Sequence, residues 1–93
     1  MFVILSRFSS QAFREPNEIN QLPATVKEKI AAECPGVVWK ESYAITGRFD
    51  VVDLVESDSP AQVEKAALLI QGYGHAHTEV SRATPWKEFL ASL

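Results

Sequence analysis

The sequence predicts an α+β fold in which a four-stranded antiparallel sheet carries two helices on one of its faces. Three observations lead to this prediction: the order of strand-like and helix-like segments, a tight turn between two neighbouring strands, and a strong helix start signal. The order is strand, helix, strand, strand, helix, strand, with a short helix at the end. Such an order is typical of a ferredoxin-like split βαβ arrangement. We expect one domain over residues 1–93.

The first strand and the first helix occupy the opening third of the chain. Residues 2–8 are rich in β-forming side chains and apolar on both faces at their start, which is typical of a central strand. Residues 9–20 are polar and predict a loop. An apolar stripe at spacings of three and four then predicts a helix, with Pro23 in its first turn. The stripe consists of Ile19, Leu22, Val26, Ile30 and Cys34.

A hairpin follows, with strands predicted over residues 37–45 and 49–55. Gly47 stands at the first of two loop positions, where a type II′ turn needs a positive φ. Counting back from a Gly47-Arg48 loop sets the register of the two strands. This register places one group of side chains on the same face of the sheet: Trp39, Glu41, Tyr43, Asp50, Val52 and Leu54.

The second helix has the clearest start signal in the chain. Ser59 is predicted as its N-cap, Pro60 as its first residue and Gln62 as the second member of a capping box. Val63, Ala66, Ala67 and Ile70 then form its apolar face, and the glycines at positions 72 and 74 end it.

The last part of the chain predicts a fourth strand and a short helix. The strand covers residues 75–82, and the helix begins after Thr84-Pro85. We expect this helix to bury a small separate cluster made of Trp86, Phe89 and Leu90.

Two helices on one face leave the other face of the sheet bare. Because that face is apolar, we expect another surface to pack against it, and a second copy of the same sheet is the simplest partner. Two sheets packed in this way form a dimeric α/β barrel. Association into a larger assembly through the edge strand, residues 37–45, is the alternative.

Composition and charge exclude several classes of protein. The net charge is −3, and the nine Lys and Arg residues are scattered, so we expect no nucleic-acid partner. The apolar run that follows Met1 is far too short to cross a membrane, and the single Cys34 predicts no internal disulfide. We therefore expect a cytoplasmic protein without a membrane partner. Cofactor motifs such as a phosphate-binding loop or Cys-x-x-Cys are absent from the sequence.

The stretch from Tyr43 to Val52, with Glu56 after it, resembles the GYD domain, a small bacterial and archaeal family of dimeric α/β-barrel type. The likeness runs nearly end to end and includes Arg7-Phe8 in the opening strand. The family usually has Glu-Tyr-Asp after the glycine, whereas this chain has Arg48-Phe49-Asp50. The resemblance implies a ferredoxin-like fold and a homodimer, and it implies no particular reaction.

Asp50, Tyr43 and Glu41 form the first group of side chains that could carry chemistry. Inside a closed barrel, burial would raise the pKa of a carboxyl group towards a value useful for proton transfer. The alternative is structural: Asp50 accepts hydrogen bonds from backbone N–H groups near the turn, and Tyr43 belongs to the core.

The second group is His75, His77 and Glu79, which alternate on one face of the fourth strand. Two imidazoles and a carboxylate are ligands for zinc, iron or copper, but His-x-His is a weak motif and we assign no metal. A polar lining in contact with a ligand and a solvated surface are the other interpretations. Arg7 and Arg82, each near a strand end, form a third group that could receive an anion, or they are solvated arginines at the sheet edge.

Two classes of function remain open. One is a small-ligand-binding or structural dimer without catalysis. The other is an enzyme that acts by proton transfer or oxidation on a small hydrophobic or aromatic molecule inside the barrel. In the enzyme, Asp50, Tyr43 and His77 would be the catalytic residues. The residues that would bind the ligand are Glu41, His75, Arg7 and Arg82.

Overall fold

The structure is a computed structural model that describes residues 1–9, 18–74 and 76–93, with side chains for all of these except residues 18–23. Its elements follow the predicted α+β order of a ferredoxin-like fold. In chain order they are β1 (Phe2–Phe8), α1 (Glu18–Glu33), β2 (Val38–Ala44), β3 (Val51–Glu56), α2 (Pro60–Gly74), β4 (Ala76–Arg82) and α3 (Trp86–Ala91).

Within the described residues, the four strands form one antiparallel sheet in the order β2-β3-β1-β4. The first strand is therefore central, as predicted, and β2 and β4 lie at the two edges. Neither α1 nor α2, nor the short α3, has the length and apolar character that a membrane-spanning helix needs, and this holds for the described residues alone.

The core lies between one face of the sheet and the two longer helices. Ile4 of β1 and Val55 of β3 are fully buried there, and so are Val63 and Ala66 of α2. Alternation explains the strand positions, because residues two apart share a face. Val26, Ile30 and Cys34, the predicted apolar stripe of α1, are buried in the same cluster. The predicted core face of both helices is confirmed for the side chains that the structure describes.

The hairpin register is confirmed at the turn and altered at its far end. Tyr43 pairs with Val52, as predicted, and Gly47 has φ of 110°. A β-bulge at Lys40 then adds one residue to β2, and Trp39 pairs with Val55. The extra residue turns Trp39 to the helix side, where it packs against the core. The prediction that Trp39 shares a face with Tyr43 is therefore wrong.

The first helix begins earlier than the sequence indicated. It starts at Glu18, so Pro23 is its sixth residue rather than part of its first turn, and residues 18–20 are helical instead of loop. The helix can extend on both sides of Pro23 because the missing N–H removes one backbone hydrogen bond, while good helix formers such as Gln21 and Leu22 favour the turn before it. Residues 10–17 of the predicted loop lie outside the described part of the chain.

The start of α2 contains only half of the predicted capping box. Ser59 Oγ accepts a hydrogen bond from the backbone N–H of Gln62 at 3.3 Å, which confirms the N-cap. The Gln62 side chain does not return to Ser59. Its Oε1 instead accepts the backbone N–H of Gly36 at 2.8 Å. This bond ties the start of α2 to the loop between α1 and β2.

The terminal helix does not bury its apolar residues within one chain. Trp86 is 69% exposed, and Phe89 and Leu90 are 42% and 48% exposed. The rings of Trp86 and Phe89 stack on each other with centroids 5.6 Å apart. The last sheet contact before α3 is the hydrogen bond from Ala83 N–H to the Met1 carbonyl, after which the chain leaves the sheet. The predicted burial of this cluster is wrong for the single chain.

Replacement of Gly47 by alanine is expected to lower the free energy of unfolding by about 1–2 kcal/mol, because a Cβ is disfavoured at positive φ. Gly72→Ala is the matched control. Position 72 is helical with open space around it, so alanine there should leave stability unchanged or raise it by up to about 1 kcal/mol. Urea unfolding measures both, and equal effects of the two substitutions would contradict the conformation of the turn.

Candidate functional site

The sheet face that points away from the helices, called the open face below, has an apolar centre. Val3 and Leu5 of β1 lie there beside Val52 and Leu54 of β3, and all four are only partly buried. The exposed face of an antiparallel sheet normally carries polar side chains. The centre of the open face is therefore more apolar than a sheet face in contact with water would normally be.

Charged side chains surround one end of the open face. Arg7 of β1 lies directly opposite His77 of β4, and Glu79 lies one row further towards the centre. The hairpin turn reaches over this end, because Arg48 Nη2 is 3.9 Å from Glu79 Oε1 although β4 lies two strands away from β3. Both partners are exposed, so this ion pair contributes only about 0–1 kcal/mol.

Tyr43 and Glu41 lie at the opposite edge of the open face, on β2. A side-chain hydrogen bond with Glu41 raises the pKa of Tyr43 above the ordinary value, and partial desolvation and the negative charge of Glu41 act in the same direction. A phenol is protonated at neutral pH without this contact, and the upward shift makes Tyr43 a weaker acid still. In this state Tyr43 can donate a hydrogen bond, but it cannot serve as a base.

The carboxylate of Asp50 is bound to backbone. Its Oδ2 accepts the N–H of Phe8 at 2.9 Å, and the Asp50 N–H donates to the Ser6 carbonyl at 2.8 Å. These bonds connect the end of the hairpin to the central strand. They support the structural alternative for Asp50, with the donor supplied by β1 rather than by the turn.

The predicted catalytic residues do not meet within one subunit. Tyr43 lies on β2 and His77 on β4, three strand spacings apart, which is about 14 Å. Asp50 lies on the face between them, but its carboxylate is already bound to Phe8. A single small molecule would not reach Tyr43 and His77 of the same chain.

The other predicted groups are also separated. Arg7 pairs with His77 and Arg82 pairs with Phe2, so the two arginines lie at opposite ends of the β1–β4 pair and on opposite faces. The Arg82 guanidinium lies over the Phe2 ring at 5.8 Å instead. The two arginines therefore cannot receive one anion together, contrary to the third hypothesis.

The metal hypothesis rests partly on His75, which lies outside the described residues. Over the described ranges, no three side chains of His, Cys, Asp or Glu come together as a metal site. Cys34, expected to be a small buried hydrophobe, is fully buried. Burial raises the pKa of its thiol, and the charge of Lys65 lowers it only in part, so the thiol is a poor nucleophile.

A cleft of about 310 Å³ opens on the helix side of the sheet. It lies between α1 and the strands β1, β2 and β3, and it exists because α1 packs mainly against α2, whereas α2 packs against β4 and β1. Small side chains below α1 leave the space unfilled. We call this space the helix-side cleft; these small side chains are Ser6, Ser42 and Ala44.

A polar network lies in the wall of the helix-side cleft. Asp53, which is 7% exposed, accepts hydrogen bonds at Oδ1 from Trp39 Nε1 at 3.1 Å and from Ser42 Oγ at 2.5 Å. Ser6 Oγ, on the adjacent strand, has no hydrogen-bond partner among the residues that the structure describes. The cleft thus combines an apolar wall with a buried carboxylate.

Asp53, Ser42 and Ser6 were not singled out from the sequence, although a signal was present. The hairpin register already places Ser42 opposite Asp53, and Asp53 is an acid inside an otherwise apolar run. An acid at a core-facing strand position indicates either a structural network or a site.

Asp50→Ala is expected to lower the free energy of unfolding by about 1 kcal/mol, because the Phe8 N–H loses its acceptor. Asp50→Asn keeps an acceptor oxygen and should retain most of that stability. Chemical denaturation of the two variants and the wild type measures the difference. If alanine and asparagine behave alike, the Asp50–Phe8 bond does not stabilise the fold.

Glu41→Gln is expected to lower the pKa of Tyr43 towards its ordinary value of 10.0, because the charged acceptor is lost. The raised pKa in the folded state means that this contact stabilises the protein below pH 10 and that the contribution is lost as the phenol ionises at higher pH. Ultraviolet titration in a Tyr73→Phe background reports Tyr43 alone. Glu64→Gln on α2 is the control and should leave the titration unchanged.

Comparison with known proteins gives one match. A family model described as the GYD domain matches residues 2–93, which is nearly the whole chain. No curated protein and no solved structure matches the chain significantly. Together with the ferredoxin-like order of elements and the hairpin at Gly47, the match over this length shows that the chain belongs to the GYD domain family.

Proposed function

We propose that the chain works as a homodimer, formed by two open faces that pack against each other, and that it binds a small apolar or aromatic molecule without converting it. The observation that carries this proposal is the apolar centre of the open face. Val3, Leu5, Val52 and Leu54 form a continuous apolar surface over the two central strands. Such a surface is costly in water and favourable in an interface.

A second copy of the chain fits the arrangement of the open face. Charged side chains lie around its apolar centre, with Arg7 and Glu79 on β1 and β4 and Glu41 on the edge strand β2. An apolar centre with a polar rim is the usual build of an interface between proteins, and a two-fold dimer lets the same face supply both sides.

The terminal helix would complete the interface. Four strands of about seven residues project to roughly 450 Å² per subunit, whereas a stable interface buries about 800 Å² per partner. The exposed rings of Trp86 and Phe89 on α3 supply further apolar area, since each large aromatic side chain buries about 150–250 Å². Packing of α3 against the partner would also explain why this helix leaves its own sheet.

The bound molecule would lie towards the edges of the paired faces. Either Tyr43 and Glu41 on one side or Arg7 and His77 on the other would give it hydrogen bonds, while the apolar centre excludes water. The alternative is an enzyme that acts by proton transfer or oxidation. One observation supports it: Tyr43 and Glu41 are hydrogen-bonded to each other on the open face, so they form a phenol–carboxylate pair that could exchange a proton with a substrate.

Leu54→Glu is expected to convert the dimer into a monomer, because it puts a charge at the centre of each of the two packed faces. The molar mass measured by light scattering coupled to size exclusion should then fall from twice 10.3 kDa to 10.3 kDa, the mass of one chain. Leu68→Glu is the matched control. Leu68 is 63% exposed on α2, away from the open face, and its replacement should leave the mass unchanged.

A monomeric wild type, or a Leu54→Glu variant that stays dimeric, would contradict the proposed assembly. If Leu68→Glu dissociates the dimer instead, the interface lies on the helix side and not on the open face. Native mass spectrometry of gently purified dimer tests the ligand: a defined extra mass that is lost in Leu54→Glu supports binding between the faces. An adduct that persists in the monomer contradicts it.

A further inference from the structure

We propose that the helix-side cleft is a second binding site, for a small and mainly apolar molecule that carries one hydrogen-bond-donating group, either a protonated amine or a hydroxyl. The cleft lies on the covered side of the sheet, opposite the open face. The inference therefore goes beyond the proposed dimer site and does not depend on it.

The size and lining of the cleft suit a small organic molecule. Its volume of about 310 Å³ is at the lower end of the range of about 300–1,000 Å³ that is usual for ligand pockets. Val26 and Ile30 of α1 and Ile70 of α2 line the helix side together with the stem of Lys27, and Ala44 and Val51 line the facing sheet. This lining selects an apolar body, such as a single aromatic ring.

Asp53 selects the polar group of the ligand. Both hydrogen bonds that Asp53 receives end on Oδ1. Among the described residues, Oδ2 accepts no hydrogen bond, and no Lys, Arg or His forms an ion pair with this carboxylate. Oδ2 is therefore free to accept a hydrogen bond from a molecule in the cleft, and a ligand amine or hydroxyl would supply the donor.

Ser6 is the second polar side chain beside the cleft. Its side chain is 2% exposed and lines the cleft, and its hydroxyl has no partner in the described part of the chain. Ser6 pairs with Val51, two residues from Asp53, so the two polar groups are diagonal neighbours on the same face. Buried hydroxyl groups are almost always hydrogen-bonded, and a ligand oxygen or nitrogen in the cleft would satisfy this one after a small side-chain rotation.

A purely structural role accounts for only part of the network. The bonds from Trp39 and Ser42 to Asp53 hold the indole in place beside the bulge of β2. They explain Oδ1 of Asp53, but they explain neither the unpartnered Ser6 hydroxyl nor the position of Oδ2, which accepts no hydrogen bond from the described residues. A buried hydroxyl without a partner and a carboxylate oxygen free to accept, both beside one cleft, are what a ligand site predicts.

The test uses the full chain with Trp86→Phe, so that Trp39 is the only tryptophan and reports on Asp53 through its fluorescence. The probes are 2-phenylethylamine, 2-phenylethanol and phenylacetate, which share one ring and differ in the polar group. We expect the fluorescence of Trp39 to change saturably with the amine or the alcohol. We expect no change with phenylacetate, which carries a negative charge and no hydrogen-bond donor. Stronger binding of the amine identifies a cationic ligand, and stronger binding of the alcohol identifies a neutral one.

Two substitutions then locate the site. Asp53→Asn keeps an acceptor for Trp39 and is expected to weaken binding of the amine by about tenfold or more. Ser6→Ala removes only an unpartnered hydroxyl, so it should not lower stability, and it should weaken binding of both probes by about threefold. Asp58→Asn and Ser81→Ala are the matched controls, because both residues are exposed and distant from the cleft.

The proposal is overturned if no probe gives a saturable response at millimolar concentration, or if phenylacetate binds as tightly as the amine. It is also overturned if Ser6→Ala, which is expected to fold normally, binds both probes as the wild type does. Leu54→Glu should leave probe binding intact, so a monomeric variant that still binds would separate this site from the dimer interface. Loss of binding in that variant would contradict the independence of the cleft.

Discussion

The close contact of α2 with the sheet, chiefly with β4 and beside it with β1, is the interaction on which the rest of the structure depends. Val63 and Ala66 of α2 are fully buried in one cluster with Ile4 and Val55 of the central strands. Small residues on this helix face allow the backbone to approach the sheet closely, and burial of the facing aliphatic side chains supplies the main stabilisation. The bond between Gln62 and Gly36 then fixes the start of α2 relative to the end of α1.

Both candidate sites result from this position of α2. Because α2 lies over β1 and β4, α1 packs beside it rather than directly on β2 and β3, and the helix-side cleft is the space that remains. Because α1 and α2 lie on the same side, no element of the described residues covers the apolar centre of the open face. A fold of two layers, one of helices and one of strands, buries one face of its sheet.

The polar side chains divide according to their partners. Asp50 is bound by the backbone of β1 and Tyr43 by Glu41, so two of the residues with the most suggestive sequence positions already have partners. Ser6, whose buried hydroxyl has no partner in the described part of the chain, and Asp53 come from positions that are typical of an ordinary strand interior. Function in this fold is therefore better sought where buried polar groups lack partners than where polar residues are conspicuous in the sequence.

The order of elements, the register at the Gly47 turn, the start of α2 and the core positions of the described helix side chains could all be predicted from the sequence. All of these depend on neighbours in the chain, namely alternation, helical spacing, capping and turn geometry. The bulge at Lys40, the side on which Trp39 lies, the separation of Arg7 from Arg82 and the exposure of α3 depend on long-range packing and are visible in the folded chain alone. One inserted residue reverses every later assignment of a face, and the docking of an element depends on surfaces that are distant in the chain.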